Sequence, residues 1–130
     1  MMETITPNIF VKDIRATISF YRKLGFEVIA SVPDPDNPDW VMMTCGNVNF
    51  MFQTYENLGD DLHMISRQKG GSLLLYIQIK NIRNFYLKVR EDVKIVKEPE
   101  TTFYGATEFS VEDINGYILT FAEDEEVEKT

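Results

Sequence analysis

One cysteine and one histidine occur in 130 residues, and each scarcity removes a class of protein. Cys45 alone cannot form an intramolecular disulfide, and an isolated thiol suits a reducing compartment such as the cytoplasm. His63 alone leaves no second imidazole for a multi-histidine metal site. No apolar run approaches the roughly 20 residues of a membrane-spanning helix. The N-terminus also lacks the basic-then-apolar profile of a secretory signal. Cations are scarce too: 13 Lys and Arg face 21 Asp and Glu, a formal charge of −8. Phosphate backbones are bound by clustered Lys and Arg, so nucleic acid is not an expected partner. The same balance mildly favours a cationic ligand. Part of the acid sits in residues 123–130, which read as a solvated tail.

What is present is enough for a packed core. An apolar fraction of 44% with 12% aromatics argues against disorder. The length suits one compact domain, or two half-domains sharing a core.

The second half repeats the first in order. Val11-Lys12-Asp13-Ile14-Arg15 returns as Ile79-Lys80-Asn81-Ile82-Arg83 at an offset of 68. Leu24 to Val28 aligns with Glu91 to Ile95 at 67, and Trp40 with the 46–52 run aligns with Phe109 and the 115–121 run at 69. Near-constant offsets mean two tandem copies of one supersecondary unit. Alternation predicts a strand over 4–12, followed by Asp13 as N-cap and a helix with Ile14, Ile18, Tyr21 and Leu24 on one stripe. Gly25 stops that helix, and strands follow over 26–32, 40–44 and 48–53. Three prolines in residues 33–39 make an exposed loop, placed where it could close over a ligand. A polar connection over 55–72 carries a short helix around 62–67. The pattern then restarts. A strand spans 73–80, Asn81 caps a helix over 82–90, and strands cover 92–97, 107–111 and 117–122 with a loop over 98–105.

The phrases Pro7-Asn8-Ile9-Phe10-Val11-Lys12-Asp13 and Ser19-Phe20-Tyr21-Arg22-Lys23-Leu24-Gly25-Phe26 carry a family resemblance. So do Tyr104-Gly105 and Val111-Glu112-Asp113-Ile114-Asn115-Gly116-Tyr117-Ile118-Leu119 in the second half. Together they resemble the vicinal oxygen chelate superfamily: glyoxalase I, extradiol dioxygenases, and fosfomycin- and bleomycin-resistance proteins. The resemblance implies an α+β fold of two tandem βαβββ modules forming a cupped mixed sheet, with helices on the convex face and a ligand or metal in the cup. Residues 1–130 then form one domain: module one about 4–54, a linker 55–72, module two about 73–122 and the acidic tail 123–130. Phe20, Tyr21, Leu24 and Phe26 read as helix-to-sheet packing, and Gly25 and Gly116 as turn glycines, so these residues mark the fold without performing chemistry.

In the family pattern, metal ligands come from the first and last strands of each module, which maps them to Thr6, Met51, Leu74 and Thr120. Leu74 and Met51 offer no hard donor, and a threonine hydroxyl is a poor neutral ligand. Gln53 and Gln78 nearby could lend only neutral amides. His63 falls in the connection and reads as a surface residue. No Ser-His-Asp set is present, and Cys45 lacks a base. Neither metal nor cofactor is expected, which removes the Lewis acid from the family's usual chemistry.

Strand alternation assigns side chains to the cup. The candidate ligand-binding residues are Asn8, Phe10, Trp40, Met42, Met51 and Gln53 in the first half. In the second they are Tyr76, Gln78, Phe109 and Tyr104, the last in the loop before the seventh strand. Apolar walls with a few oriented polar groups describe a small-molecule pocket, although Phe10, Trp40, Met42 and Met51 would equally suit packing between modules or a dimer interface. Trp40, after the Pro-rich loop, is the leading candidate for stacking on a planar ligand.

Three functions are open. The first is a metal-free, cytoplasmic, homodimeric small-molecule binding protein resembling the antibiotic-sequestering bleomycin-resistance proteins, with a ligand that is cationic and aromatic. The second is a glyoxalase-type lyase or isomerase using an unrecognised metal or acid–base work by Glu98 or Glu108, both of which otherwise read as surface charges. The third is a dimeric domain with a filled cup.

Overall fold

The computed structural model describes residues 1–124, so the end of the expected acidic tail lies outside the described residues. The chain divides into two compact units between Gln68 and Lys69. The first runs β1 (Asn8–Val11), α1 (Ile14–Lys23), β2 (Glu27–Val32), β3 (Trp40–Cys45), β4 (Val48–Thr54) and α2 (Tyr55–Leu58). Its sheet has the order β1-β4-β3-β2, with β1 parallel to β4 and the other pairs antiparallel. The second runs β5 (Leu74–Gln78), α3 (Ile82–Val89), β6 (Lys94–Thr101), β7 (Ala106–Glu112) and β8 (Ile118–Asp124). Its order is β5-β8-β7-β6, with β5 parallel to β8. The fold is α+β, with a βαβββ module in each unit.

In the first unit, Asp13 caps α1 as its sequence context predicts, its carboxylate accepting from the Ala16 amide at 3.0 Å. At the other end Gly25 has a φ of 101°. The Gly25 amide donates to the Arg22 carbonyl and the Phe26 amide to the Tyr21 carbonyl, both at 3.0 Å. Those bonds satisfy carbonyls the helix end leaves open. The buried face of α1 meets one face of the sheet through Tyr21, whose ring lies 4.7 Å from Phe52, 5.6 Å from Phe26 and 5.8 Å from Phe50. Val11, Val41 and Met43 complete that core with no exposure.

In the second unit, Phe85 and Tyr86 on α3 pack against Phe109 and Phe121. The cap differs from the expected one. Asn81 adopts the left-handed region (φ 58°) and makes no side-chain cap bond. Glu123 supplies the cap instead, its two carboxylate oxygens accepting from the Asn81 amide at 2.9 Å and the Ile82 amide at 3.1 Å. Glu123 and Asp124 therefore belong to β8 rather than to a solvated tail.

Other boundaries moved for local reasons. The first strand begins at Asn8, four residues later than expected. The helix expected around 62–67 is absent; a single helical turn at Tyr55–Leu58 forms instead, capped by the Thr54 hydroxyl. Strand β6 continues through Pro99 to Thr101, where a loop was expected. Proline is tolerated there because β6 is an edge strand whose register shifts between Lys97 and Glu100. Gly70 lies against the β7–β8 turn, its amide donating to the Asn115 carbonyl at 2.7 Å. A methyl group on Gly70 would stand 2.7 Å from the Gly116 carbonyl oxygen, so this contact requires glycine.

Candidate functional site

The helix-free face of the first sheet is organised in cross-strand rows. Register places Phe10 on β1 and Trp40 on β3 on either side of Gln53 on β4. The adjacent row is Asn8, Met51 and Met42. Phe10, Trp40, Met42, Met51 and Gln53 are half-buried, and Asn8 is exposed. The rows are joined by amides. Asn8 Nδ2 donates to Gln53 Oε1 at 3.0 Å, and Gln53 Nε2 donates to Asn57 Oδ1 at 2.8 Å. Gln53 is thus fixed between two aromatic residues with its amide orientation set by both neighbours. The six first-half candidates share one face.

The 33–39 loop does not overlie that face. Arg15 Nη2 on α1 donates to the Asp36 carbonyl, and Pro35, Asp36 and Pro38 border a cleft with residues of α1. Asp39 ties the loop base to both neighbouring strands, donating to Val32 and accepting from Thr54. The expectation of a flap over Trp40 is therefore corrected: the loop folds toward the helix side.

In the second unit, Tyr76 and Gln78 on β5 lie on the helix-free face, in rows with Thr120 and Ala122 of β8. Ser110 and Glu108 continue those rows on β7. Ser110 and Thr120 share a hydroxyl hydrogen bond of 2.8 Å. Ala122, being small, lets the Tyr76 hydroxyl reach diagonally across β8 to Glu108. Tyr76 and Tyr104 both donate to Glu108 Oε2 at 2.5 Å. These bonds to the carboxylate hold both phenols protonated: the Tyr76 and Tyr104 pKa values are raised, with the Glu108 hydrogen bond the largest cause, then desolvation and the Glu108 charge. Both phenols use one oxygen of Glu108, and among the described residues no cation lies within ion-pair distance of it; Lys97, whose charge interacts with Glu108, pairs with Glu100 at 2.8 Å. Gln78 borders a polar hollow of about 560 Å³ with Lys80, Asn81 and Glu123.

Phe109 does not belong to this face. It is fully buried, with its ring 5.2 Å from Tyr86 and 5.3 Å from Phe121 on the helix side. The expected alignment carried one offset across the whole hairpin. Met42 pairs with Met51 in the first unit, and Ser110 with Thr120 in the second. The β4-to-β8 offset is thus 120 − 51 = 69, but the β3-to-β7 offset is 110 − 42 = 68. The second turn has one extra residue, and a one-residue slip exchanges faces. Glu108, not Phe109, is the counterpart of Trp40. Glu108, named from sequence only as an acid–base candidate or a surface charge, is accordingly the residue absent from the expected ligand-binding set; Tyr76 and Tyr104, both in that set, converge on it.

With this geometry in hand, comparison with known proteins decides the family. Residues 4–121 match the model of the Glyoxalase/Bleomycin resistance protein/Dioxygenase superfamily. The chain belongs to that superfamily. Among solved structures, it is similar to a bleomycin-binding protein complexed with bleomycin, at 20% identity and a TM-score of 0.67 over 95% of this chain and 100% of that one. It is also similar to a bleomycin resistance determinant encoded on the transposon Tn5, at 20% identity and a TM-score of 0.68 over 96% and 100%. A protein of unknown function from Agrobacterium tumefaciens str. C58 aligns at 22% identity and a TM-score of 0.78 over 96% of each chain. No curated protein matches the sequence.

The superfamily's enzymes use a divalent metal, and the residues at the corresponding positions here do not fit one. Thr6 precedes β1, Met51 pairs with Asn8, and Leu74 pairs with Ile118. The Thr120 hydroxyl is engaged with Ser110. Among the described residues, no three His, Cys, Asp or Glu side chains come together. His63 is exposed and Cys45 half-buried. None of the helices among the described residues is long and apolar enough to cross a membrane.

Proposed function

We propose that this superfamily member is a metal-free binding protein for a small planar organic cation, held on the helix-free face of its first sheet. The observation that carries the reading is the Phe10–Gln53–Trp40 row, an amide held between two half-buried aromatic residues. A flat ligand would stack on the indole and take directed hydrogen bonds from the amide chain. The formal charge of −8 supplies the charge preference, and in the second unit Glu108 is a separate point of attraction for a cation. Two phenols orient one of its oxygens and leave the other for an ammonium or guanidinium, bordered by aromatic rings that also favour cations. The bleomycin-binding neighbour is consistent with this class of ligand. The enzyme alternative draws less from the site. Glu98 accepts from Tyr86 of α3, on the helix side, and Glu108 is committed to two tyrosines whose raised pKa values suit them poorly to proton transfer. A cytoplasmic homodimer belongs to the same reading: a lone cysteine suits a reducing compartment, and the aromatic and Met side chains on the first sheet's helix-free face would suit a two-fold partner.

Trp40 is the sole tryptophan, so its emission reports on the face directly. A titration with a planar aromatic amine is expected to change that emission saturably. The amine is expected to bind more tightly than its neutral alcohol analogue, and Gln53→Ala to weaken both by about threefold to tenfold, the loss of one hydrogen bond. Flat titrations with both probes would instead support a face closed by packing.

A further inference from the structure

Helix α1 carries two stripes. Ile14, Thr17, Phe20 and Tyr21 are buried in the core. Arg15, Ile18, Ser19 and Arg22 follow helical spacing along a neighbouring stripe. That second stripe borders a cleft of about 310 Å³, closed on its far side by β2 and the 33–39 loop. Arg15 and Arg22 are two turns apart, about 10 Å along the axis, with Ser19 between them. Asp36 is the one acidic residue among those bordering the cleft. In a chain of charge −8, this is a local reversal of sign.

Two features build the cleft rather than merely leaving it. Arg15 donates to the Asp36 carbonyl, which fixes its guanidinium at the loop edge and lowers the entropy cost of using it. A β-bulge then re-aims a hydroxyl. Val28 pairs with Met43 and Ala30 with Met42, so Ile29 is the extra residue. Ser31 pairs with Val41, which is fully buried on the helix side. Unbroken alternation would turn Ser31 to the opposite face from Val28; the bulge brings both to the cleft. Ile18, Val28, Val41 and two prolines supply apolar walls.

We propose that this cleft between α1, β2 and the 33–39 loop is a second binding site, taking the phosphate group of a small phosphorylated compound. Guanidinium forks match phosphate oxygens in pairs, and the two serine hydroxyls add neutral donors. The volume lies at the low end of the roughly 300 to 1,000 Å³ range of ligand pockets, which limits the remainder of the molecule to a few heavy atoms beside the apolar walls. The site lies on the helix side of its sheet, away from the Phe10–Gln53–Trp40 row, and does not depend on what that row binds.

The test is a titration of the ¹⁵N-labelled full chain with inorganic phosphate and with glycerol 3-phosphate, against sodium chloride at matched ionic strength. Saturable amide shifts confined to α1, β2 and the intervening loop are expected with both phosphates and absent with chloride. Arg22→Gln is expected to weaken binding by about tenfold or more, Ser31→Ala by about threefold, and Arg90→Gln, beyond α3, not at all. Arg22 is exposed, and the same spectra show whether each variant is folded. Shifts that are linear, that chloride reproduces, or that persist at wild-type affinity in both Arg22→Gln and Ser31→Ala would overturn the proposal.

Discussion

Replacing Phe109 by alanine removes a fully buried ring that touches Phe85, Tyr86 and Phe121. The expected cost is about 3 to 5 kcal/mol, read as a lower midpoint in urea with an unchanged slope. Trp40→Ala is expected to cost less, because the indole is only half-buried, and to weaken binding of an aromatic amine about tenfold or more as read by calorimetry. A Phe109→Ala chain as stable as wild type would contradict the helix-side placement. This pair of residues also marks how far single positions could be read from sequence. Alternation placed Asn8, Phe10, Trp40, Met42, Met51 and Gln53 on one face because the β3–β4 turn between Cys45 and Val48 is short and keeps register. It failed at Phe109 because alternation carries no memory through a turn of uncertain length. One added residue between Glu112 and Ile118 exchanged Phe109 for Glu108.

At the scale of elements, local signals were legible where both partners lie close in sequence. Asp13 and Gly25 bracket α1 within the chemistry of a dozen residues. The cap of α3 was hidden because the carboxylate that accepts from its first amides is 41 residues away from Ile82, on β8. That cap makes α3 sensitive to acid. Two backbone amides, Ile82 first and then Asn81, hold the Glu123 pKa below its ordinary value. A depressed carboxylate pKa stabilises the fold fully above the unfolded value, near 4.3, and the contribution is lost as pH falls through the folded value. Glu123→Gln is therefore expected to lower Tm at pH 7, with the gap to wild type closing as the pH drops below about 4.3. Thermal melts of the two proteins from pH 7 to pH 3 measure it. A gap that stays constant over that range would show that the carboxylate charge plays no part in holding α3.

For the whole molecule, the repeat carried the most information and also set its own limit. Two copies of one βαβββ order were readable because strand and helix periods recur at nearly one offset. Chemistry was readable only as a set of substitutions, since Thr6, Met51, Leu74 and Thr120 stand where hard donors would be needed. The structure adds what those positions do instead. Thr120 spends its hydroxyl on Ser110, and Gln53, the nearest amide that could serve a metal, is bonded to Asn8 and Asn57. In either unit an ion would have to break the hydrogen bonds made there and would receive neutral oxygens in return, a poor exchange for a hard dication. Protein purified after growth with zinc, nickel, manganese and iron is thus expected to carry far less than one ion per chain, with a Tm indifferent to a chelator. Elemental analysis decides the matter. About one ion per chain, lost on Gln53→Ala or Gln78→Ala, would restore a metal to the site and with it the enzyme reading.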